Sequence, residues 1–432
     1  MYSFLCGPAG TGKTTIVSRA AEESCGGVVL CATTGIAAVN LGPGVTTINS
    51  LLRYFDTPSL RTSWTSGQLD ARLWKLVHAG VEEICLDEVS MMDGDQLAIL
   101  VEALDGVNGR LMQQGRAPLR LRLVGDMAQL QPVKAKFVFE VPAWTEFERN
   151  TTVLTKMWRQ DNPEFLAALR AARQGNGEAA AEYLRQFARP SLDHHWPGTT
   201  LLAKNTMVDR FNTIRYREIP GAETTFPSRL WGKARPEWQE VSAPVRFKVG
   251  ALVMVLANKR KDADTAEQEM SATGVAGETF EYVNGDVGVI EEIDTSKHGS
   301  AEWPIPWVRL HRRSKVVPIG YVTRQHLIPL EAGRRKVLKE EGHAERAQDK
   351  WEVVGELTYM PLRLAWATTV HKAQGLTLEK VQVAFNDPFF QKPGMAYVAV
   401  SRLRSPEGLA LVGNPEMLKF KFAVDPRVRR WL

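Results

Sequence analysis

The chain has 432 residues, 44% of them hydrophobic and 24% charged, with a net charge of +5. That is ordinary globular make-up, with apolar material for more than one core, and a prior of roughly 150 residues per domain suggests about three. No apolar run approaches the ~20 residues of a membrane span and no basic-then-apolar leader opens the chain, so the expectation is a soluble intracellular protein without a membrane partner, whose mild basicity suits a polyanionic partner without requiring one.

In chain order, residues 3–6 read as a strand entering a glycine-rich turn, with a helix over 13–24 behind it. Residues 28–32, 83–87 and 119–125 are further short apolar runs separated by helical stretches, the pattern of βαβ units and a mostly parallel sheet. Cys6, Cys31 and Cys85 fall in such runs and read as small buried hydrophobes in a reducing compartment. With Cys25 they form no C-x-x-C pair and have no histidine cluster beside them, which argues against zinc. Between 40 and 79 the pattern loosens, and Tyr54, Phe55 and Trp64 among polar residues mark a small insertion.

A second α/β region begins near 152, with an Ala-, Leu- and Arg-rich helix over 163–174 and an apolar run at 199–203. It resumes at 362–366, 381–385 and 409–412. Between about 244 and 352 the character is β, with strands at 251–256 and 287–293, a turn signal at Asn284-Gly285, and a further strand punctuated by Trp303, Pro304, Pro306 and Trp307. The charged run 331–350 reads as a solvated helix or a mobile arm.

Gly7-Pro8-Ala9-Gly10-Thr11-Gly12-Lys13-Thr14 matches G-x-x-x-x-G-K-[ST] in full and lies between a strand and a helix, where a phosphate cradle must be. Gly10, Thr11, Gly12, Lys13, Thr14 and Thr15 are the candidate nucleotide cradle, with Lys13 reaching the β- and γ-phosphates and the Thr14 hydroxyl on Mg²⁺. Ile84-Cys85-Leu86-Asp87-Glu88 is an apolar strand ending in two acids. Alone such a pair is more often a helix cap or a solvated turn. Behind a P-loop, Asp87 is expected to hold Mg²⁺ and Glu88 to act as general base on the attacking water. A third strand ends at Gly125-Asp126, and Gln129 follows as a candidate γ-phosphate contact, although Gly-Asp turns are common.

Taken together, the P-loop, Thr33-Thr34-Gly35-Ile36-Ala37-Ala38, the L-D-E-V-S-M run and the V-G-D-M-A-Q-L run resemble superfamily 1 helicases. The resemblance is to the 5′→3′ branch with the PIF-type, RecD-type and phage Dda enzymes. Leu154-Thr155-Lys156-Met157-Trp158-Arg159-Gln160, Ala367-Thr368-Thr369-Val370-His371-Lys372-Ala373-Gln374-Gly375 and Tyr397-Val398-Ala399-Val400-Ser401-Arg402 resemble later motifs of that family, so the likeness runs in order from residue 7 to 402.

What the resemblance implies is an α/β fold of two tandem RecA-like P-loop domains with an inserted SH3-like β-barrel module. The expected boundaries are 1–151 for the first domain with a small insertion about 45–80, 152–243 and 353–432 for the second, and 244–352 for the barrel. ATP and Mg²⁺ would bind between the domains, with Gly375 also at the nucleotide and with Arg159 and Arg402 neutralising the transferred phosphoryl. Single-stranded DNA, forked or partial-duplex, would meet Thr33, Thr34, Gly35, Thr46, Asn49 and Ser50 in the first domain and Thr369, His371 and Lys372 in the second.

Relatives often have His where this chain has Asn49, and His371 has a domain-packing hydrogen bond as its plain alternative. Tyr54, Phe55 and Trp64 fall where relatives carry a strand-separating pin, yet at least two of them are expected to be the insertion's own core. Relatives read adenine with a segment upstream of the P-loop, whereas here the first strand starts at Ser3, so the choice of adenine rests on the resemblance. The implied activity is ATP-dependent translocation and unwinding, cytoplasmic and nucleoid-associated in a bacterium; a monomer is favoured, with the oligomeric state left open. Its rivals are an ATP-switched clamp that does not unwind and a P-loop small-molecule kinase.

Overall fold

The computed structural model describes residues 1–42, 45–132, 135–235, 238, 242–257, 259–260, 280–282, 285–311, 315–329 and 351–432. The expectations for 331–350 and for the turn residue Asn284 lie outside these.

The first domain is built on six strands: β1 (Tyr2–Cys6), β2 (Val28–Ala32), β3 (Thr46–Thr47), β4 (Glu83–Asp87), β5 (Arg120–Gly125) and β6 (Thr151–Val153), in spatial order β3-β2-β4-β5-β1-β6. All neighbours are parallel. A parallel sheet puts every carboxyl end on one edge, so Cys6, Ala32, Asp87 and Gly125 converge there although they are distant in sequence. The strands carry Leu, Ile, Val and Cys on both faces because helices cover both, and Cys31 and Cys85 are buried while Cys6 is half-buried and Cys25 exposed.

Beyond the one-turn helix Ile48–Leu52, the insertion is a pair of helices, Thr57–Thr65 and Gln68–His78. Asp56 caps the first by accepting from the Ser59 amide, and Leu69, Leu73, Leu76 and Val77 recur at helical spacing to bury the second against the helix Gly94–Gln113. Tyr54 is buried with its hydroxyl on Gln96 and Trp64 packs against the same core, whereas Phe55 is 87% exposed.

The second domain is a five-stranded parallel sheet in the order Ala367–Thr369, Thr199–Leu202, Val381–Val383, Leu409–Val412, Ala188–Arg189. The helix Pro163–Arg173 starts where Asn162 accepts from the Phe165 amide and Pro163 sets the first helical φ. The strand Leu362–Leu364, read from sequence as the return to α/β, instead closes an antiparallel sheet in the order Lys315–Pro318, Ile305–Leu310, Val287–Asp294, Leu252–Val255, Leu362–Leu364. A short apolar run does not reveal which of two sheets it joins. β-structure also begins before residue 244, since Thr224–Phe226 pairs with Val245–Phe247 and Arg229–Gly232 with Trp351–Tyr359.

The C-terminal turn Pro426–Trp431 crosses back to the first domain. Trp431 meets Trp144 edge-on at 5.4 Å and Phe4 at 6.2 Å, and Val428 is fully buried in the same core. Trp144 is 1% exposed. Trp144→Ala is therefore expected to cost about 3–5 kcal/mol in denaturant unfolding; an unshifted midpoint would show that this aromatic cluster does not anchor the turn.

Candidate functional site

The P-loop joins β1 to the helix Lys13–Glu23. Gly10 has φ +89°, and a Cβ there would lie 2.9 Å from Arg159 Cβ and 3.1 Å from Gln160 Oε1, so both backbone shape and close approach require glycine. Lys13 is buried and its Nζ donates to the Gly7 and Pro8 carbonyls at 2.7 and 2.9 Å. Burial pushes its pKa down, while Asp126, Glu88 and Asp87 oppose that shift.

At the end of β4, Asp87 accepts from the Thr14 hydroxyl at 2.9 Å and from the Glu88 amide at 2.8 Å. A hydroxyl and a carboxylate oxygen in contact at the phosphate end of a P-loop form a hard-oxygen donor set suited to Mg²⁺. Among the described residues no cluster of three or more His, Cys, Asp or Glu side chains offers another metal site.

Glu88 stands in the left-handed region at φ 56°, ψ 40°, a conformation that costs a non-glycine residue about 1–2 kcal/mol. Its carboxylate accepts from Gln374 Nε2 at 2.8 Å. Burial and the neighbouring Asp87 push its pKa up to about 7, against the pull of Gln374, Lys13 and Arg402.

From the other side come Arg159 and Arg402. Arg402 is 1% exposed and donates to the Val398 carbonyl at 2.9 Å and the Ser401 hydroxyl at 3.0 Å; burial lowers its pKa and Glu88 supports its charge. Arg159 donates to the Ser401 carbonyl at 2.9 Å, and burial and Arg402 bring its pKa down to about 9. The segment carrying it bridges the domains, since the Trp158 amide donates to Gly10 while Gln160 donates to Leu403. Gln129 is buried with Oε1 unpartnered, and the Thr11 hydroxyl donates to Pro8. Thr15 lies in the first helical turn after the P-loop, and Gly375 follows Gln374 with φ +81°.

Four residues outside the expected set knit this cleft. Asp126 accepts from Arg173 at 3.0 Å and from the Tyr397 hydroxyl at 3.1 Å, and that hydroxyl accepts from the Ala9 amide at 3.0 Å. Gln374 is the fourth. Tyr397 and Gln374 stand inside motifs legible in the sequence, but nothing there shows that they reach across to the first domain.

A cavity of about 1460 Å³ runs alongside, walled by both parallel-sheet domains and the β module. Thr33, Thr34, Gly35, Asn49, Ser50 and Lys372 line it. Three expected contacts do not. Thr46 is buried, Thr369 turns its hydroxyl to accept from the Lys372 amide as a helix cap, and the His371 ring lies 6.1 Å from Phe389. Among the described residues the lining adds Arg53, Arg235, Arg246 and Arg363 to Lys372 against the single carboxylate Asp209. These cations come from scattered strands and loops, so no charge run in the sequence announces them.

Two parallel sheets that face one another across a P-loop cleft, one supplying acids and the other arginines, are tandem RecA-like domains. The AAA domain family matches residues 1–189 and the herpesvirus-type Helicase family matches residues 361–425. ATP-dependent DNA helicase PIF1 of Emericella nidulans is 28% identical over 98% of this chain, and ATP-dependent DNA helicase Pif1 of Bdellovibrio bacteriovorus is 28% identical over 98%. This chain spans 60% of the fungal relative's length and 86% of the bacterial one's. The crystal structure of Bacteroides sp Pif1 in complex with ADP-AlF4 superposes with a TM-score of 0.72 at 22% identity, covering 100% of this chain and 92% of that one. These likenesses, over nearly the whole chain, are to PIF1-type DNA helicases.

Proposed function

We propose that this chain is an ATP-dependent DNA helicase that moves 5′→3′ on single-stranded DNA and opens forked or partial duplex. One observation carries the reading: acids of the first domain and arginines of the second converge on Glu88, beside a cation-lined channel walled by both domains. The relatives' names as ATP-dependent DNA helicases agree with it.

In this reading Lys13 exchanges its two carbonyl partners for phosphate oxygens. Thr14 and Asp87 hold Mg²⁺, which when bound neutralises phosphate charge. Glu88 takes the proton of the attacking water, and Arg159 and Arg402 meet the negative charge that develops on the phosphoryl group. Closing the cleft shifts the two walls of the channel against each other, and reopening after hydrolysis completes a step. In the described residues no helix is long and apolar enough to cross a membrane; the proposed setting is the cytoplasm, at the nucleoid in a bacterium.

Steady-state ATP hydrolysis with and without single-stranded DNA tests the reading, with Glu88→Gln as blank and a forked duplex as the unwinding substrate. A high rate indifferent to DNA would overturn it, and stimulation without strand separation would leave a translocating clamp. Lys372→Ala is expected to weaken single-stranded DNA binding equally across sequences and to reduce the slope of log K against log salt by about 0.7. An unchanged slope in fluorescence anisotropy would take Lys372 off the phosphate backbone.

A further inference from the structure

Glu88 is gripped by two segments that also wall the channel. Thr33, on the channel, donates its hydroxyl to the Glu88 carbonyl at 2.8 Å and its amide to the Asp87 carbonyl at 3.2 Å. From the second domain, Gln374 Nε2 donates to Glu88 Oε2 at 2.8 Å.

Gln374 ends the short helix Val370–Ala373, two residues beyond Lys372, which lines the channel, and its amide donates back to the His371 carbonyl at 3.3 Å. Arg363, another channel residue, donates to the Lys372 carbonyl at 3.4 Å. A movement of Lys372 therefore passes directly to Gln374. The Gln374 side chain is buried and its Oε1 has no hydrogen-bond partner, so only the donor half of the amide is satisfied, and satisfied by the catalytic carboxylate. A carboxylate has about four acceptor sites, so one amide does not block Glu88; it fixes the direction in which the carboxylate points. Glu88 is also held in a strained backbone conformation, which surrounding contacts must maintain.

We propose that Gln374 is a positioning residue that restrains Glu88 until single-stranded DNA occupies the channel. A phosphate drawn onto Lys372 displaces the helix Val370–Ala373 and withdraws the Gln374 amide, letting the Glu88 carboxylate turn to the attacking water. The hydrogen bond given up is exchanged for a phosphate contact, so DNA binding biases the two positions of one loop. This rests on the helicase reading above, for which DNA-stimulated hydrolysis is the expectation.

The test is kcat and KM for ATP, without DNA and at saturating oligo-dT, for the full chain and for Gln374→Leu and Gln374→Met. Leucine and methionine both remove the donor at similar volume. Both are expected to raise kcat without DNA about tenfold, the worth of one hydrogen bond to a charged group. KM for ATP and kcat at saturating DNA stay as in the parent, so the stimulation ratio collapses. Thermal unfolding identifies a variant that fails to fold, in which case the other carries the measurement. Intact stimulation in a folded variant, or an equal fall of both rates, overturns the restraint. A parent chain that DNA does not stimulate would instead remove the helicase reading itself.

Discussion

Arg402→Ala is expected to lower ATP turnover by about 10³-fold or more while leaving nucleotide affinity nearly intact. The guanidinium is buried where water cannot screen it, and its field at Glu88 and the phosphoryl site is correspondingly strong. Negative charge is greatest there in the transition state, so the loss falls on kcat rather than on binding. Arg402→Lys is expected to restore little, because a single ammonium cannot keep the Val398 and Ser401 contacts and also present a planar fork to phosphate oxygens. Single-turnover hydrolysis beside binding of a fluorescent nucleotide separates the two terms. An unchanged chemical rate would remove Arg402 from the site, and a matched fall in affinity would make it a ground-state ligand.

The second large effect belongs to Glu88→Gln. It should bind ATP and lose about 10²- to 10⁴-fold in turnover, the range for a positioned general base. The substitution keeps the side chain's length and an oxygen able to accept from Gln374, so the fold around it is preserved. Asp87 is the poorer candidate base, because one of its oxygens already accepts from Thr14 and the other from the Glu88 amide, each of which stabilises its charged form. Burial and the neighbouring Asp87 push the Glu88 pKa up, which makes it a stronger base than an ordinary carboxylate. Failure to bind nucleotide would make Glu88 a structural residue. Near-normal turnover would hand the proton to another group.

Not every candidate in the sequence was equally legible. Lys13, Thr14, Asp87 and Glu88 are local signals: a glycine turn between strand and helix, and an acidic pair at a strand's end, carry their chemistry in consecutive residues. The order of strands was beyond such reading, yet it places β5 between β4 and β1 and brings all their carboxyl ends to one edge. Leu362–Leu364 illustrates the limit, since its apolar pattern suits a buried strand in either sheet and only long-range pairing assigns it to the β module. Thr369 and His371 show another. Both types of side chain grip phosphate, but here Thr369 caps the helix Val370–Ala373 by accepting from the Lys372 amide, and the His371 ring lies 6.1 Å from Phe389.

By itself the sequence supplied the candidate parts: a P-loop between strand and helix, an acidic pair at a strand's end, two arginines in recognisable motifs, and alternating strands and helices of the kind that build layered parallel sheets. Tertiary structure alone decided which parts meet. The Gln374–Glu88, Tyr397–Asp126 and Arg173–Asp126 contacts span 286, 271 and 47 residues, and the channel gathers arginines from strands and loops with no common motif. Local patterns record what each segment needs to bury or hydrogen-bond within a few residues. Which distant segment supplies the partner depends on sheet order and domain packing, and those are settled by the whole chain at once.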